Sequence, residues 1–394
     1  MNLINFGMKK VYYFMQKKIN LFRKIFLIIL ITFSFFLRPS ENSQAQTTSE
    51  NNIFLPLVMN NYFKGFSTSE KLVGIYMQQY WTNTSVPDQN VGMAKADTLA
   101  GKKHSVSGWF IDIQDNHFIN PPSDIKTNNL YIQLESLWKN GYVSFVNINS
   151  NATAYAIATG QYDSHLRNMA SVYTTWVNQG GGRKAFLAPL PEMNGVAEDG
   201  KAWASYGGDP TNYKLAYQRI QNIFSPNGSN DNNIWWVFAP NGWSKSGHEF
   251  ENYYPGDNLV DIVGFSSYNY GFCWVAIPYQ RWENYKPLYE QYVSRIAMMA
   301  PQKPIIIAQT GTTAEFSKTN VIDISAKNTW LKINYEYVSK QPQVLGILYY
   351  DFDQSNWECN WKITSGGNFY GYKEGASYPA FRYLRSTDLQ SIIP

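Results

Sequence analysis

Glu192 is the residue of this chain best placed to do acid–base chemistry. It stands in residues 184–195, KAFLAPLPEMNG, where an apolar run breaks at Pro191 and hands an acid to a turn carrying Asn194 and Gly195. A carboxylate just past a buried strand sits where parallel barrels and sheets keep their chemistry, and there it can give a proton to a leaving oxygen. The stretch also reads as an ordinary strand-to-turn junction with a solvated glutamate. What favours the first reading is the company at equivalent points of the chain. Asp112 and Asp115, Asn147 and Asn149, Asn241 and Trp243, Tyr268, Asn269 and Tyr270, Gln309, and Asp351, Asp353, Trp357 and Trp361 each close or follow an apolar run. Acids and amides suit sugar hydroxyls, rings suit the C–H faces of sugars, and an acid near the scissile bond suits glycoside cleavage. Taken singly, each of these residues also reads as a loop cap.

The elements that must position them come in a regular alternation. Apolar, β-branched runs lie at 71–79, 105–113, 142–149, 184–191, 233–240, 261–268, 303–309 and 344–351. Segments with helical spacing lie between them, near 91–99, 130–138, 162–176, 213–224, 282–299 and 326–338, with a short one at 250–254; residues 380–385 close the chain. The runs are continuously apolar rather than alternating, which suits strands buried on both faces. Eight such units predict a (β/α)₈ TIM barrel over residues 65–390. A doubly wound open sheet is the alternative. It lacks support, because the glycines at 180–182 precede the fourth run instead of opening a phosphate-binding turn after a strand.

Residues 1–45 read as a signal peptide: Lys17, Lys18, Arg23 and Lys24 precede the apolar stretch 25–36, with small residues near Ala45. That stretch is too short to span a bilayer, so a secreted chain, free of the membrane once cleaved, is expected. An uncleaved anchor is the other reading. Residues 46–64 read as a linker and an extended segment. Seven basic residues and one acid fall within 1–45, so the remainder carries −2 where the whole chain carries +4. No basic surface is left to suggest nucleic acid. Aromatic residues make up 16% of the chain and match the charged fraction of 16%, a balance that suits a carbohydrate protein but also a large core. The four histidines are scattered and the two cysteines have no metal-ligand spacing, so no metal and no cofactor is expected. Cys273 and Cys359 follow the sixth and eighth runs, where they either bridge two loops of the same rim or remain two thiols. Nothing suggests oligomerisation, and a monomer is expected.

The chain resembles glycoside hydrolase family 26, best known for endo-β-1,4-mannanases and also containing β-1,3-xylanases and β-glucanases. The resemblance covers most of residues 70–365 and rests on GQYDSHLRNMA (160–170), PEMNG (191–195), WASYGG (203–208), NIWWVFAPNGW (233–243), YYPGDNLVDIVGFSSYN (253–269) and KPIIIAQTGT (303–312), in that order. It implies a retaining hydrolase acting on a β-linked polysaccharide, β-mannan first, with Glu192 as acid/base. It further implies Tyr268 as the tyrosine that hydrogen-bonds the nucleophile. Asn194 and Asn241 are implied as substrate-binding, and Trp203, Trp243 and Trp361 as sugar platforms.

Two positions depart from the family pattern. Pro191 stands where many members place a histidine. More seriously, Gln309 occupies the nucleophile position, and an amide oxygen does not form the glycosyl ester that the retaining mechanism needs. Three readings follow: a hydrolase that recruits another carboxylate, such as Glu315 or Asp351; a glycan-binding pseudoenzyme on the same barrel; or an inactivating substitution in an otherwise ordinary hydrolase. The expected function is the mannanase-like hydrolase, with the binding protein as its alternative.

Overall fold

The computed structural model describes residues 65–394 apart from 78–88, 116–123, 198–199, 226–230, 274–279, 318–321, 356–358 and 365–366. The expected leader, the segment 46–64 and Trp357 therefore lie outside the described residues. Eight parallel strands close into a barrel in sequence order. They are β1 (Leu72–Met77), β2 (Val106–Asp112), β3 (Val143–Asn149), β4 (Ala185–Pro189), β5 (Ile234–Phe238), β6 (Ile262–Asn269), β7 (Ile305–Thr312) and β8 (Val344–Asp351). The helices on the outside are α1 (Gln89–Ala100), α2 (Asn129–Lys139), α3 (Ala154–Ala158), α4 (Asp163–Val177), α5 (Pro210–Phe224), α6 (Gln291–Met299), α7 (Ile324–Lys340), α8 (Tyr370–Ala376) and α9 (Ser386–Ile392). After β5 there is only a single short turn of helix, Phe250–Tyr253, as the weak periodicity there implies.

Local chemistry explains the element ends. Asp209 caps α5 by accepting from the Asn212 N–H at 3.1 Å, with Pro210 in the first turn, and Asp323 caps α7 by accepting from Ala326 N–H at 2.8 Å. α4 turns Leu166, Met169, Tyr173 and Trp176 onto the barrel, the spacing expected of one helix face.

Inside the barrel, side chains from successive strands fill the lumen in rings. Phe186 stacks on Trp235 with centroids 4.8 Å apart, and Phe145 lies 5.7 Å from Phe186. Tyr76 fills the space beside β2, and Gly108 makes that possible: a Cβ there would sit 2.4 Å from the tyrosine ring. Asn147 donates to the Tyr76 hydroxyl at 2.9 Å beneath the cleft, so it belongs to the lumen and not to the rim. The far end is closed by Leu384, Leu389 and Ile393, which carries the domain past residue 390 to the end of α9. Both α8 and α9 are absent from the predicted elements, and residues 381–385 between them lie outside any helix, with Phe381 bridging to Lys71.

One irregularity matters for the site. β7 carries one residue more than either neighbour needs: Phe265 pairs with Ile307 and Ser266 with Gln309, while Ile307 and Thr310 pair with the near-consecutive Ile347 and Tyr349. This is a β-bulge at Ala308–Gln309. Ile307 packs outward and Ala308 inward, so strict alternation would send Gln309 toward the helices. The bulge instead lets Ala308 and Gln309 both face inward, and Thr310 then bonds outward to Tyr289 at 2.8 Å. β7 also continues to Thr312, three residues beyond the predicted end at Gln309.

Candidate active site

β4 ends at Pro189, and the turn beyond it is strained. Leu190 and Glu192 adopt φ of 51° and 57°, left-handed values that cost a side-chain-bearing residue about 1–2 kcal/mol. Three hydrogen bonds hold the turn in place. Leu190 N–H donates to Ile148 O at 2.8 Å, Glu192 N–H to Ala239 O at 2.8 Å, and the Tyr206 hydroxyl to Pro191 O at 2.8 Å. The effect is to anchor the acid to β3, β5 and the following loop at once, with its side chain facing the cleft.

Burial pushes the Glu192 carboxyl above its ordinary value, and the Ser266 and Asn241 side chains act in the opposite direction. Asn241 is itself held: its N–H donates to Asn194 Oδ1 at 2.8 Å, and its Oδ1 accepts from Trp243 N–H at 2.9 Å. Asn194 completes the link by donating to Asn241 O and to Ser244 Oγ, both at 2.8 Å. Asn194 is fully buried, so the expectation that it binds substrate is corrected. All of its hydrogen-bonding goes into clamping the β4 loop to the β5 loop.

Gln309 lies in the floor, 4% exposed, and its Oε1 accepts from the Tyr268 hydroxyl at 3.0 Å. Around these groups is a cleft of about 400 Å³ whose walls include Phe110, Tyr206, Tyr270 and Tyr350. Among its described lining residues Glu192 is the single carboxylate. The acids put forward as replacements are not among the described residues that line the cleft. Asp351 is fully buried and accepts from Ile363 N–H at 2.5 Å and Thr364 N–H at 3.1 Å. Glu315 lies in the loop after β7, bridged to Ile322, and does not line the cleft. Asp112, closing β2, accepts from Gln114 N–H at 2.7 Å and serves its own loop.

The aromatic residues divide into two groups. Trp203 and Trp243 are 52% and 42% exposed and stack with nearly parallel planes, 11° apart with centroids separated by 6.1 Å, an aromatic pair at the cleft edge. Trp203 lies flat on Gly195, where a Cβ would come within 2.2 Å of its ring. Trp361 is different. It lines the cleft but is only 1% exposed, with its ring 5.1 Å from both Tyr268 and Tyr270. The expected sugar platform is therefore a packing residue that supports Tyr268 from the β8 side. Beside it Cys273 and Cys359 form a disulfide that ties the β6 loop to the β8 loop. Buried Lys327 donates to Lys362 O at 3.1 Å from below.

Tyr206, Phe110 and Tyr350 are site residues that the sequence reading misses. Phe110 and Tyr350 lie inside β2 and β8, two residues and one residue short of the strand ends where a barrel site is expected. Tyr206 lies in WASYGG, a motif quoted for the resemblance without a role. Among the described residues no group of three or more His, Cys, Asp or Glu is arranged to hold a metal ion.

Solved structures share this architecture. The family 26 domain of an endo-β-mannanase/endo-β-glucanase from Prevotella bryantii superposes with a TM-score of 0.54, covering 82% of this chain and 93% of that one at 17% identity. A β-mannanase from a symbiotic protist of the termite Reticulitermes speratus, solved with a gluco-manno-oligosaccharide, gives 0.52 over 84% of this chain and 92% of that one at 14% identity. The fold is that of glycoside hydrolase family 26. In sequence, the chain is 28% identical over 281 residues to endoglucanase H of Acetivibrio thermocellus, a match spanning 68% of this chain and 27% of that protein. The chain thus corresponds to about a quarter of the length of that curated relative. No family model matches the chain.

Proposed function

We propose that this protein is a family 26-type glycoside hydrolase barrel acting on a β-linked polysaccharide, β-mannan first, with Glu192 as its acid/base. The observation that carries this reading is the cleft over Glu192. It joins a buried acid on a strained turn, a tyrosine–amide pair across its floor and two exposed tryptophans at its edge. The solved neighbours are an endo-β-mannanase/endo-β-glucanase domain and a β-mannanase in complex with a gluco-manno-oligosaccharide, and the relative in sequence is an endoglucanase.

How far the action goes turns on Gln309. Retaining hydrolysis needs a second carboxylate to bond the anomeric carbon, and the described cleft lining offers Glu192 alone. This supports the binding form of the function: the chain grips a β-glycan on a hydrolase frame and does not turn over mannan by the usual pair. The hydrolytic form keeps one point in its favour, since burial raises the Glu192 carboxyl and so favours the protonated form that a leaving group requires. We also propose that the protein is exported; the Cys273–Cys359 bridge fits an oxidising compartment.

Reducing-sugar release from mannan, β-1,3-xylan and mixed-linkage glucan separates the two forms, using the parent chain, Gln309→Glu and Glu192→Ala. Release by Gln309→Glu alone supports the binding form. Release by the parent that Glu192→Ala abolishes supports hydrolysis, and then another group replaces the nucleophile.

A further inference from the structure

At position 309 the hydrogen-bonding sense of the floor is reversed. A nucleophilic carboxylate would present lone pairs to the anomeric centre. Gln309 instead gives its Oε1 to the Tyr268 hydroxyl, which leaves its Nε2 as the group it can offer as a donor to the cleft it lines. A carbonyl oxygen on a bound ligand can take the place of solvent on such a donor. The bulge in β7 shows that this amide is turned in by the backbone rather than left at the edge. Its surroundings are apolar: Tyr268 lies 5.7 Å from Tyr350 and 5.1 Å from Trp361, ring centroid to ring centroid, with Phe110 completing the wall. A carbonyl oxygen carried on a small apolar group fits both features.

We propose that this cleft hydrolyses β-glycosides of 2-acetamido-2-deoxy sugars, with the substrate's own acetamido oxygen taking the place of the missing enzyme carboxylate. The inference rests on the reading of the cleft as a β-glycan site and names the glycan class that is turned over there. Participation by a neighbouring acetamido group is an established route to retention where the protein lacks a nucleophile. In the first step the acetamido oxygen bonds to C1 while the glycosidic C1–O bond breaks, and Glu192 gives its proton to the departing oxygen. The sugar is left as a cyclic oxazolinium ion with its N–H intact. In the second step water attacks C1 and gives a proton to the Glu192 carboxylate, and the C1–O bond to the acetamide breaks. The acetamide is regenerated, one water is consumed and the β-configuration is retained. Gln309 Nε2 donates to the acetamido oxygen and holds it under C1, and the aromatic wall receives its methyl group.

The test uses the full chain, a β-1,4-linked tetrasaccharide of 2-acetamido-2-deoxyglucose, its N-trifluoroacetyl counterpart, mannotetraose, and a thiazoline analogue of the cyclic intermediate. Reducing ends are expected from the acetamido tetrasaccharide, with inhibition by the thiazoline. A loss of about 100-fold or more is expected in Glu192→Gln, as for removal of a general acid. The trifluoroacetyl substrate is expected to react at least about tenfold more slowly, because fluorine withdraws electron density from the attacking oxygen. Gln309→Glu is expected to lower this activity while melting normally. If mannotetraose binds calorimetrically but the acetamido tetrasaccharide is not cut, the inference fails and the β-glycan reading survives. If neither oligosaccharide binds, both fail. Faster cleavage of the acetamido substrate by Gln309→Glu also overturns the inference, since an enzyme carboxylate would then be the missing group.

Discussion

The Tyr268 hydroxyl on β6 donates to Gln309 Oε1 on β7 across 3.0 Å, and the bulge in β7 brings the two together. Removing the hydroxyl leaves a carbonyl oxygen unpaired in a residue only 4% exposed. Tyr268→Phe is therefore expected to cost about 1–3 kcal/mol of stability in urea unfolding. In a Gln309→Met background the same change should cost far less. Equal costs in the two backgrounds would mean that the bond contributes nothing.

Glu192 gives the protein a pH-dependent weakness. The unfolded chain loses this proton in the ordinary carboxylate range, whereas burial keeps the proton on in the folded chain to higher pH. Between those two values the folded state holds the extra proton, so stability falls as pH rises through the window. Glu192→Gln removes that dependence. The melting temperature of the variant minus that of the parent should grow as pH rises above the ordinary carboxylate range. A difference that stays flat as pH rises would show that the carboxyl is not desolvated.

Asn194 connects the acid to its surroundings without touching the cleft. Asn194→Ala strips partners from Asn241 N–H, Asn241 O and Ser244 Oγ in a fully buried setting. A loss of about 2–4 kcal/mol is expected by urea unfolding, together with weaker glycan binding as Asn241 loses its place beside Glu192. Retained stability with weakened binding would return Asn194 to a direct substrate role.

The barrel was legible because strands buried on both faces, such as IIIA in β7 and ILYY in β8, appear in the sequence as unbroken apolar runs. Glu192 was legible for a related reason, since Pro191 and Gly195 mark where β4 gives way to a turn. Exposure was not legible. Asn194, Trp203 and Trp361 have the residue types of a sugar site, and only packing separates a clamp, a platform and a buried support. The bulge was hidden as well, because an extra residue in one strand is defined by its register with two others. It decides which way Gln309 faces. The short helices α8 and α9 contain glycines or mostly polar residues and are held by tertiary contacts, among them Tyr372 and Leu389, more than by their own periodicity.

The Cys273–Cys359 bridge spans 86 residues of sequence. Constraining a loop of that length in the unfolded chain contributes about 4.5 kcal/mol in the chain-entropy model. Cys273→Ser with Cys359→Ser should lower the urea midpoint by a corresponding amount, and reductant should do the same to the parent. Trp361 packs beside the bridge and against Tyr268, so the double variant should also lose glycan affinity. Unchanged affinity despite the lost stability would separate the brace from the site.

Trp203 and Trp243 form an exposed, stacked pair with nearly parallel rings, and neither is needed for the core. Trp203→Ala and Trp243→Ala are each expected to weaken mannan-oligosaccharide binding about three- to tenfold in calorimetric titrations, a loss of ~0.5–1.5 kcal/mol, with little change in melting. Because the rings touch, the double variant should depart from the product of the two single effects. The sharper experiment leaves both rings in place. Gly195 supports the Trp203 indole at its flat face, and a Cβ there would lie 2.2 Å from the ring. The methyl group of Gly195→Ala must therefore displace the indole from its plane beside Trp243. If the platform acts through ring orientation, Gly195→Ala should weaken binding about as much as Trp203→Ala does. If Gly195→Ala binds like the parent while Trp203→Ala does not, the indole contributes bulk and not a positioned face, and the paired platform is the wrong description of this edge of the cleft.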